Sequence, residues 1–178
     1  VLGTRESASC VAKDLTTEQT PALVQERTRL AMCGASVRRT DPDGPLRVCG
    51  RNRSLAMSRS LGDFDMKQVG VISEPVVTVH DMSEEDWCVV MASDGIWDVL
   101  SSQEAIDICC RHRSDATAAC RILIKKAAEL WAEQGLNRDD ISGEFERNLA
   151  HIPLTRVKAF VIFDVRAISH RGLSPCAR

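Results

Sequence analysis

The apolar positions of this chain change their spacing several times, and each change marks an element. From Trp87 the sequence runs Trp-Cys-Val-Val-Met without a polar break. A run of that length predicts a strand buried on both faces. Just upstream, "EPVVTVHDM" (74–82) predicts another strand, entered from the extended geometry that Pro75 imposes on Glu74. "SASCVA" (7–12) alternates weakly and reads as a strand, and the opening "VLG" reads as the tail of one. Further on, Leu23, Arg27, Leu30 and Ala31 fit one helical face, which Gly34 stops. "SVRRTDPDGPLRVCG" (36–50) predicts a hairpin, because Asp41 to Pro45 is dense in turn residues. Residues 51–67 have no clean period, although Leu55, Ala56 and Leu61 suit a short helix or turn.

Beyond Asp94 the period becomes helical. Ser101 or Ser102 is the N-cap candidate for "QEAIDICCRH", with Glu104 and Ala105 opening the helix. The next helix carries the clearest stripe, with Ala116, Ala119, Cys120, Leu123, Ile124, Ala127, Leu130 and Trp131 on one face. Ser114 or Asp115 caps it and Gly135 ends it. "NRDDIS" then reads as an acid-rich turn, "VKAFVIFDV" (157–165) as a closing strand, and 166–178 as a disordered tail. Strands that pair locally, followed by two long helices, predict an α+β fold with helices layered on a mostly antiparallel sheet.

At 178 residues, 44% hydrophobic and 27% charged, the chain is in the range of a soluble globular domain with a sizeable core. Its formal charge is −2 with the signs interspersed, which gives no basis for binding nucleic acid or an acidic membrane surface. The arginine groups at 47–53 and at Arg111 and Arg113 read as solvated faces. The eight cysteines show no C-x-x-C spacing and no secretory signal precedes them. They are expected to be reduced thiols of an intracellular protein, mostly buried, and a zinc site is disfavoured. No apolar stretch has the length of a bilayer span. The chain opens without Met inside a strand pattern, so a fragment is expected.

The candidate chemistry lies in carboxylates. In "ASDGIWDVL" (92–100), Asp94 falls where the apolar strand stops, Gly95 lets the backbone turn, and Asp98 follows one helical turn on. Acids at strand ends are where Mg²⁺ and Mn²⁺ are held, because these ions take oxygen ligands and keep several waters. Asp139 and Asp140 form a second acidic loop, and two such loops at one end of a sheet can converge on an ion. The plainer alternative is that Asp94 caps a short helix and that "NRDD" is a solvated loop. Asp63 in "SLGD" likewise reads as a turn former. His80, His112, His151 and His170 have no partners at catalytic spacing, and no serine elbow or glycine-rich phosphate loop is present.

Taken together, "LAMSRSLGDFDMK", "SEPVVTVHDM", "DWCVVMASDGIWDVLSSQEAIDI" and "RDDIS", in this order, resemble the metal-dependent type 2C serine/threonine protein phosphatases. The resemblance runs from residue 1 to about residue 142. It implies a partial four-layer α-β-β-α sandwich of antiparallel sheets flanked by helices. It also implies phosphoprotein substrates, a cytoplasmic or nuclear setting, and two Mg²⁺ or Mn²⁺ ions with a weaker third. By position, Asp94 matches the acid shared between metals, Asp98 the ligand of the third metal, and Asp139 the acid of a late Asp-Asn motif in which Asp140 replaces Asn. Arg59 and Asp63 match the "SR-x-LGD" segment and, with Gly95, are expected to be structural near the site. The implied reaction is hydrolysis of phosphoserine and phosphothreonine by a water shared between the two ions.

Two departures from the family pattern shape the expectation for this chain. The family's first strands, which carry most of its metal and phosphate contacts, are not in the sequence, so residues 1–165 are expected to form an incomplete catalytic domain. Residues 143–165 diverge: "GEFERNLAHIPLTR" separates Ser142 from the apolar run, as an insertion or as retained intron sequence. The alternative function is a catalytically inactive phosphatase-like module that binds a partner. Unpaired strand edges are expected to make the isolated chain poorly soluble.

Overall fold

A computed structural model of the protein describes residues 1–6, 9–81, 83–135, 140–147 and 156–161. In chain order the elements begin with β1 (Leu2–Glu6), β2 (Ser9–Lys13), α1 (Val24–Met32), β3 (Ser36–Arg39), β4 (Leu46–Cys49), β5 (Ser54–Leu55) and α2 (Phe64–Lys67). They continue with β6 (Val76–Asp81), β7 (Asp86–Ala92), α3 (Asp94–Trp97), α4 (Ser102–Arg111), α5 (Ala116–Glu133), β8 (Gly143–Arg147) and β9 (Arg156–Val161). The α+β class expected from the sequence is therefore observed. The chain divides into two compact units, Val1–Thr16 with Thr78–Ala159, and Thr17–Val77 with Phe160–Arg178.

The first unit is built on an antiparallel sheet of order β2-β1-β7-β8. The apolar run of β7 is buried on both faces from Trp87 to Val90, as its lack of alternation requires, whereas Met91 at its end is exposed. Cys88 and Val90 pack with Ile106, Cys109, Leu123 and Ala127 of α4 and α5, whereas Val89 packs with Leu2 and Leu15. Helices on a sheet face give this unit the β-α half of the expected sandwich. Both helices start on the cap signals in the sequence, and the second also stops on its glycine. Ser101 and Glu104 exchange hydrogen bonds as a capping box for α4, and the Asp115 carboxylate accepts the Ala118 amide at the start of α5. Gly135, at φ 63°, follows the end of α5. The two ends of the segment 17–77 are tied within this unit, where the Thr78 hydroxyl donates to the Leu15 carbonyl at 2.8 Å.

Residues 143–147 turn directly into β8, which pairs with β7 in register from Ala92↔Gly143 to Cys88↔Arg147. The apolar run further on supplies β9, which pairs with β6. One expectation fails in this unit. Cys10 and Cys110 form a disulfide, with Cα atoms 6.6 Å apart, so the cysteines are not all thiols. The strand-to-helix packing of β2 on α4 brings them together. Cys88 and Cys109 do behave as small apolar side chains, and burial pushes both thiols up to about 12. Among the described residues no helix is long and apolar enough to cross a membrane.

In the second unit, β3, β4 and β5 form an antiparallel sheet, and the predicted hairpin pairs Ser36 with Cys49 through Arg39 with Leu46. Leu30, Val48, Met66 and Val71 make its core. The helical face read for α1 is corrected here: Leu30 is buried, but Arg27 and Ala31 are exposed, and the second inward residue is Glu26. Glu26 is 3% exposed and lies in a fork of two arginines. Arg59 donates to both its oxygens, at 3.1 and 2.7 Å, and Arg29 at 3.4 and 2.7 Å. A carboxylate is retained at a core position because these donors offset its desolvation. They hold its carboxyl down at about 2.

Candidate functional site

The site begins where β7 runs out. Ser93 is extended, at φ −72° and ψ 167°, and stands at the N-cap of α3, but its side chain makes no capping bond. Asp94 is the first helical residue, so the reading of Asp94 as the cap does not hold. Its carbonyl accepts the Asp98 amide at 2.8 Å, which sets the two acids one turn apart. Asp94 is half-buried and Asp98 exposed.

The Ser93 hydroxyl instead joins this turn to the second acidic loop. It donates to the Asp140 carbonyl at 2.8 Å and accepts the Ser142 amide at 3.0 Å, while the Ser93 amide donates to the Ser142 carbonyl at 2.9 Å. Gly95 is needed at the same contact. A Cβ there would lie 3.0 Å from the Asp140 carbonyl carbon and 3.2 Å from the Ile141 Cα. Two indoles hold the turn from behind: Trp97 Nε1 donates to the Ala92 carbonyl at 2.9 Å, and Trp131 Nε1 to the Gly95 carbonyl at 2.8 Å. The loops carrying Asp94 and Asp140 therefore converge at one end of the sheet. Asp139 lies outside the described residues.

Arg59 and Asp63 belong to the second unit. Arg59 is held by Glu26 and also donates to the Glu74 carbonyl at 2.8 Å. Asp63 has a left-handed backbone, at φ 47°, and accepts Arg53 at 2.6 Å; Arg53 also forks onto Asp65. These two carboxylates raise the Arg53 guanidinium further above its ordinary value.

Among the described residues no three His, Cys, Asp or Glu side chains converge closely enough to hold a metal ion. The groove between α4 and α5, lined by Ile108, Arg111, Ile122, Lys125, Lys126 and Glu129, contains none of the candidate acids. Cys33 and Arg39 stand at the C-x₅-R spacing of a cysteine-phosphatase loop, a pair the sequence reading missed. They form no phosphate cradle: Cys33 ends α1, and Arg39 at the end of β3 donates to the Gly44 carbonyl.

The sequence reading also missed Ser93, Glu26 and the second role of Trp131. Ser93 directly precedes Asp94, and nothing in its local pattern points to a distant partner. Trp131 was placed on the apolar stripe of α5, but a buried indole N–H needs an acceptor, and that need points to a second contact.

An antiparallel sheet backed by helices, with its acid-bearing strand end bonded to a second acidic loop, defines an α+β domain with a candidate acidic site at one end of its sheet. The family model described as Protein phosphatase 2C matches residues 1–134, and the chain belongs to that family. It is 39% identical over 143 residues to "Probable protein phosphatase 2C 34" of Arabidopsis thaliana, covering 77% of this chain and 40% of that protein. It is 38% identical over 136 residues to "Probable protein phosphatase 2C 66" of Oryza sativa subsp. japonica, covering 74% of this chain and 25% of that protein. The chain thus spans well under half the length of these relatives. The crystal structure of serine-threonine phosphatase 2C from Toxoplasma gondii shares the fold, with a TM-score of 0.74 at 21% identity over 81% of this chain and 49% of that one.

Proposed function

We propose that this chain carries part of the catalytic site of a Mg²⁺- or Mn²⁺-dependent protein serine/threonine phosphatase that works on phosphoproteins in the cytoplasm or nucleus. The observation that carries the reading is the bonding of the Asp94 turn to the 140–142 loop through Ser93. Family membership supports the reaction class, and the geometry supports the role of this end of the sheet.

The donor set fits the expected ions. Asp94 and Asp98 are hard oxygen ligands at the rim, and such ions keep several waters, so a chain can supply part of a coordination shell. Asp94 and Asp98 would hold them, with Asp139 as the ligand from the adjoining loop. When bound, divalent cations supply acidity to a water and offset charge on the phosphoryl group. The chain's own residues position these ligands. Ser93 and Gly95 hold the Asp94 turn to the Asp140 backbone, and Trp131 fixes the carbonyl of Gly95. Arg59 and Asp63 organise their own unit through Glu26 and Arg53.

The test is release of phosphate from a phosphothreonine peptide by the purified chain with Mn²⁺, beside Asp94→Asn. Metal-dependent release that the substitution abolishes is the expected result. A folded chain with no release in either form would refute activity of this chain and leave a partner-binding phosphatase-like module.

A further inference from the structure

We propose that Cys10 and Cys110 are a reversible redox latch that fastens the outer strand β2 to helix α4. Strand β2 is the edge of its sheet, and it lies along α4 in the opposite sense. At one end the Ser102 hydroxyl donates to the Asp14 carboxylate at 2.6 Å, and at the other Cys110 is bonded to Cys10. The lengths match: residues 10 to 14 of a strand span about 13 Å, and residues 102 to 110 of a helix about 12 Å. Gln103 covers the open edge, accepting from the Ala12 amide at 3.0 Å and donating to the Cys10 carbonyl at 2.9 Å.

The non-covalent ties thus come from the start of α4, and the covalent one from its last turn. Breaking the disulfide leaves the Ser102 and Gln103 ties in place and removes only the one that reaches from the Cys10 side chain to the last turn of α4. That division makes the bond a latch and not a strut. Its effect bears on the candidate site, because β1 pairs with β2 on one side and with β7, the strand that ends at Asp94, on the other.

Selectivity comes from pairing: Cys33, Cys49 and Cys120 are also reachable from solvent but are thiols, whereas Cys10 and Cys110 face each other. Cys10 and Cys110 are half-buried and open to a small disulfide, whereas Cys88 and Cys109 are fully buried. The oxidant is a low-molecular-weight disulfide of the glutathione type. One cysteine thiolate attacks it, forming a mixed disulfide and releasing one glutathione thiol. The second cysteine then attacks the mixed disulfide, closing the Cys10–Cys110 bond and releasing the other. Two protein thiols are oxidised, one small disulfide is reduced to two thiols, and the two protein protons end on the released glutathione. In a reducing compartment such a bond is transient, as a sensor requires.

The chain is equilibrated with glutathione disulfide or with reduced glutathione, then alkylated with iodoacetamide and mapped by mass spectrometry, with hydrogen exchange followed in parallel. In the oxidised chain Cys10 and Cys110 are protected and joined in one cross-linked peptide, and reduction reopens both to label. Exchange rises several-fold on reduction at the Ser9 end of β2, while the Ala12 amide, held by Gln103, and α5 are unchanged. Cys10→Ser and Cys110→Ser each exchange fast in both buffers. Equal labelling of Cys10 and Cys110 in the two buffers, or β2 exchange that ignores the redox state, would overturn the proposal.

Discussion

Gly95→Ala tests whether the Asp94 turn and the 140–142 loop are held together, because two effects of the change have opposite signs. Gly95 is the second residue of α3. In a helix Ala is favoured over Gly by about 1 kcal/mol, so on propensity alone the variant is more stable. The contact reverses this. The new methyl would meet the Asp140 carbonyl carbon at 3.0 Å and the Ile141 Cα at 3.2 Å, and these are backbone atoms that cannot rotate away. If the loop stays, overpacking costs about 1–3 kcal/mol. If it lifts, three hydrogen bonds between 2.8 and 3.0 Å are lost, each worth about 1 kcal/mol net. Less the helical gain, the first route leaves the variant about 0–2 kcal/mol less stable and the second about 2 kcal/mol less stable. Urea denaturation followed by tryptophan fluorescence gives the stability, and hydrogen exchange at the Ser142 amide shows whether the loop has lifted. A variant about 1 kcal/mol more stable than the parent, with Ser142 still protected, would mean that the loop is not seated on Gly95.

Two further expectations concern stability elsewhere. Glu26→Gln leaves Arg29 and Arg59 around an uncharged amide and should cost about 3 kcal/mol at pH 7, at the low end for a broken buried pair because both arginines are partly exposed. Its pH dependence is distinctive. The Glu26 carboxyl is held down at about 2 in the fold against its ordinary 4.5, so the unfolded chain binds more protons between those values. The parent's Glu26 contribution is complete above pH 4.5 and is lost as pH falls towards 2, whereas the variant lacks that slope; parallel melting curves over this window would refute the assignment. Ser101→Ala removes one side of the capping box and should cost about 1 kcal/mol, with faster exchange confined to the first turn of α4. Unchanged exchange there would show that the box contributes nothing.

The elements that were legible in the sequence are those whose ends are written locally. The caps at Ser101 and Asp115, the turn residues 41–45 and the unbroken run of β7 each need only near neighbours to take effect. What was not legible depends on distant partners. "GEFER" carries charges at alternate positions and no apolar run, and it becomes β8 through its register on the adjoining edge of β7. Glu26 reads as a solvent-facing helix residue until Arg59, far along the chain, arrives to pair with it. At the candidate site, the position of Asp94 at a strand end could be read from the change of period. The hydroxyl of Ser93 as the link between two acidic loops could not, because that bond spans 47 residues.

The hydrogen bond between Thr78 and Leu15 has a consequence for how this family can vary. It places the point where the chain leaves the first unit beside the point where it returns, so residues 17–77 form an excursion from a narrow gate. Lengthening such an excursion raises its closure entropy only slowly, by about 0.6 kcal/mol per doubling of length. Insertions, deletions and wholesale exchange within it can therefore accumulate without shifting the register of β1 on β7. The sheet that presents Asp94 can stay constant across descendants, while the intervening segment is free to diverge in size and surface.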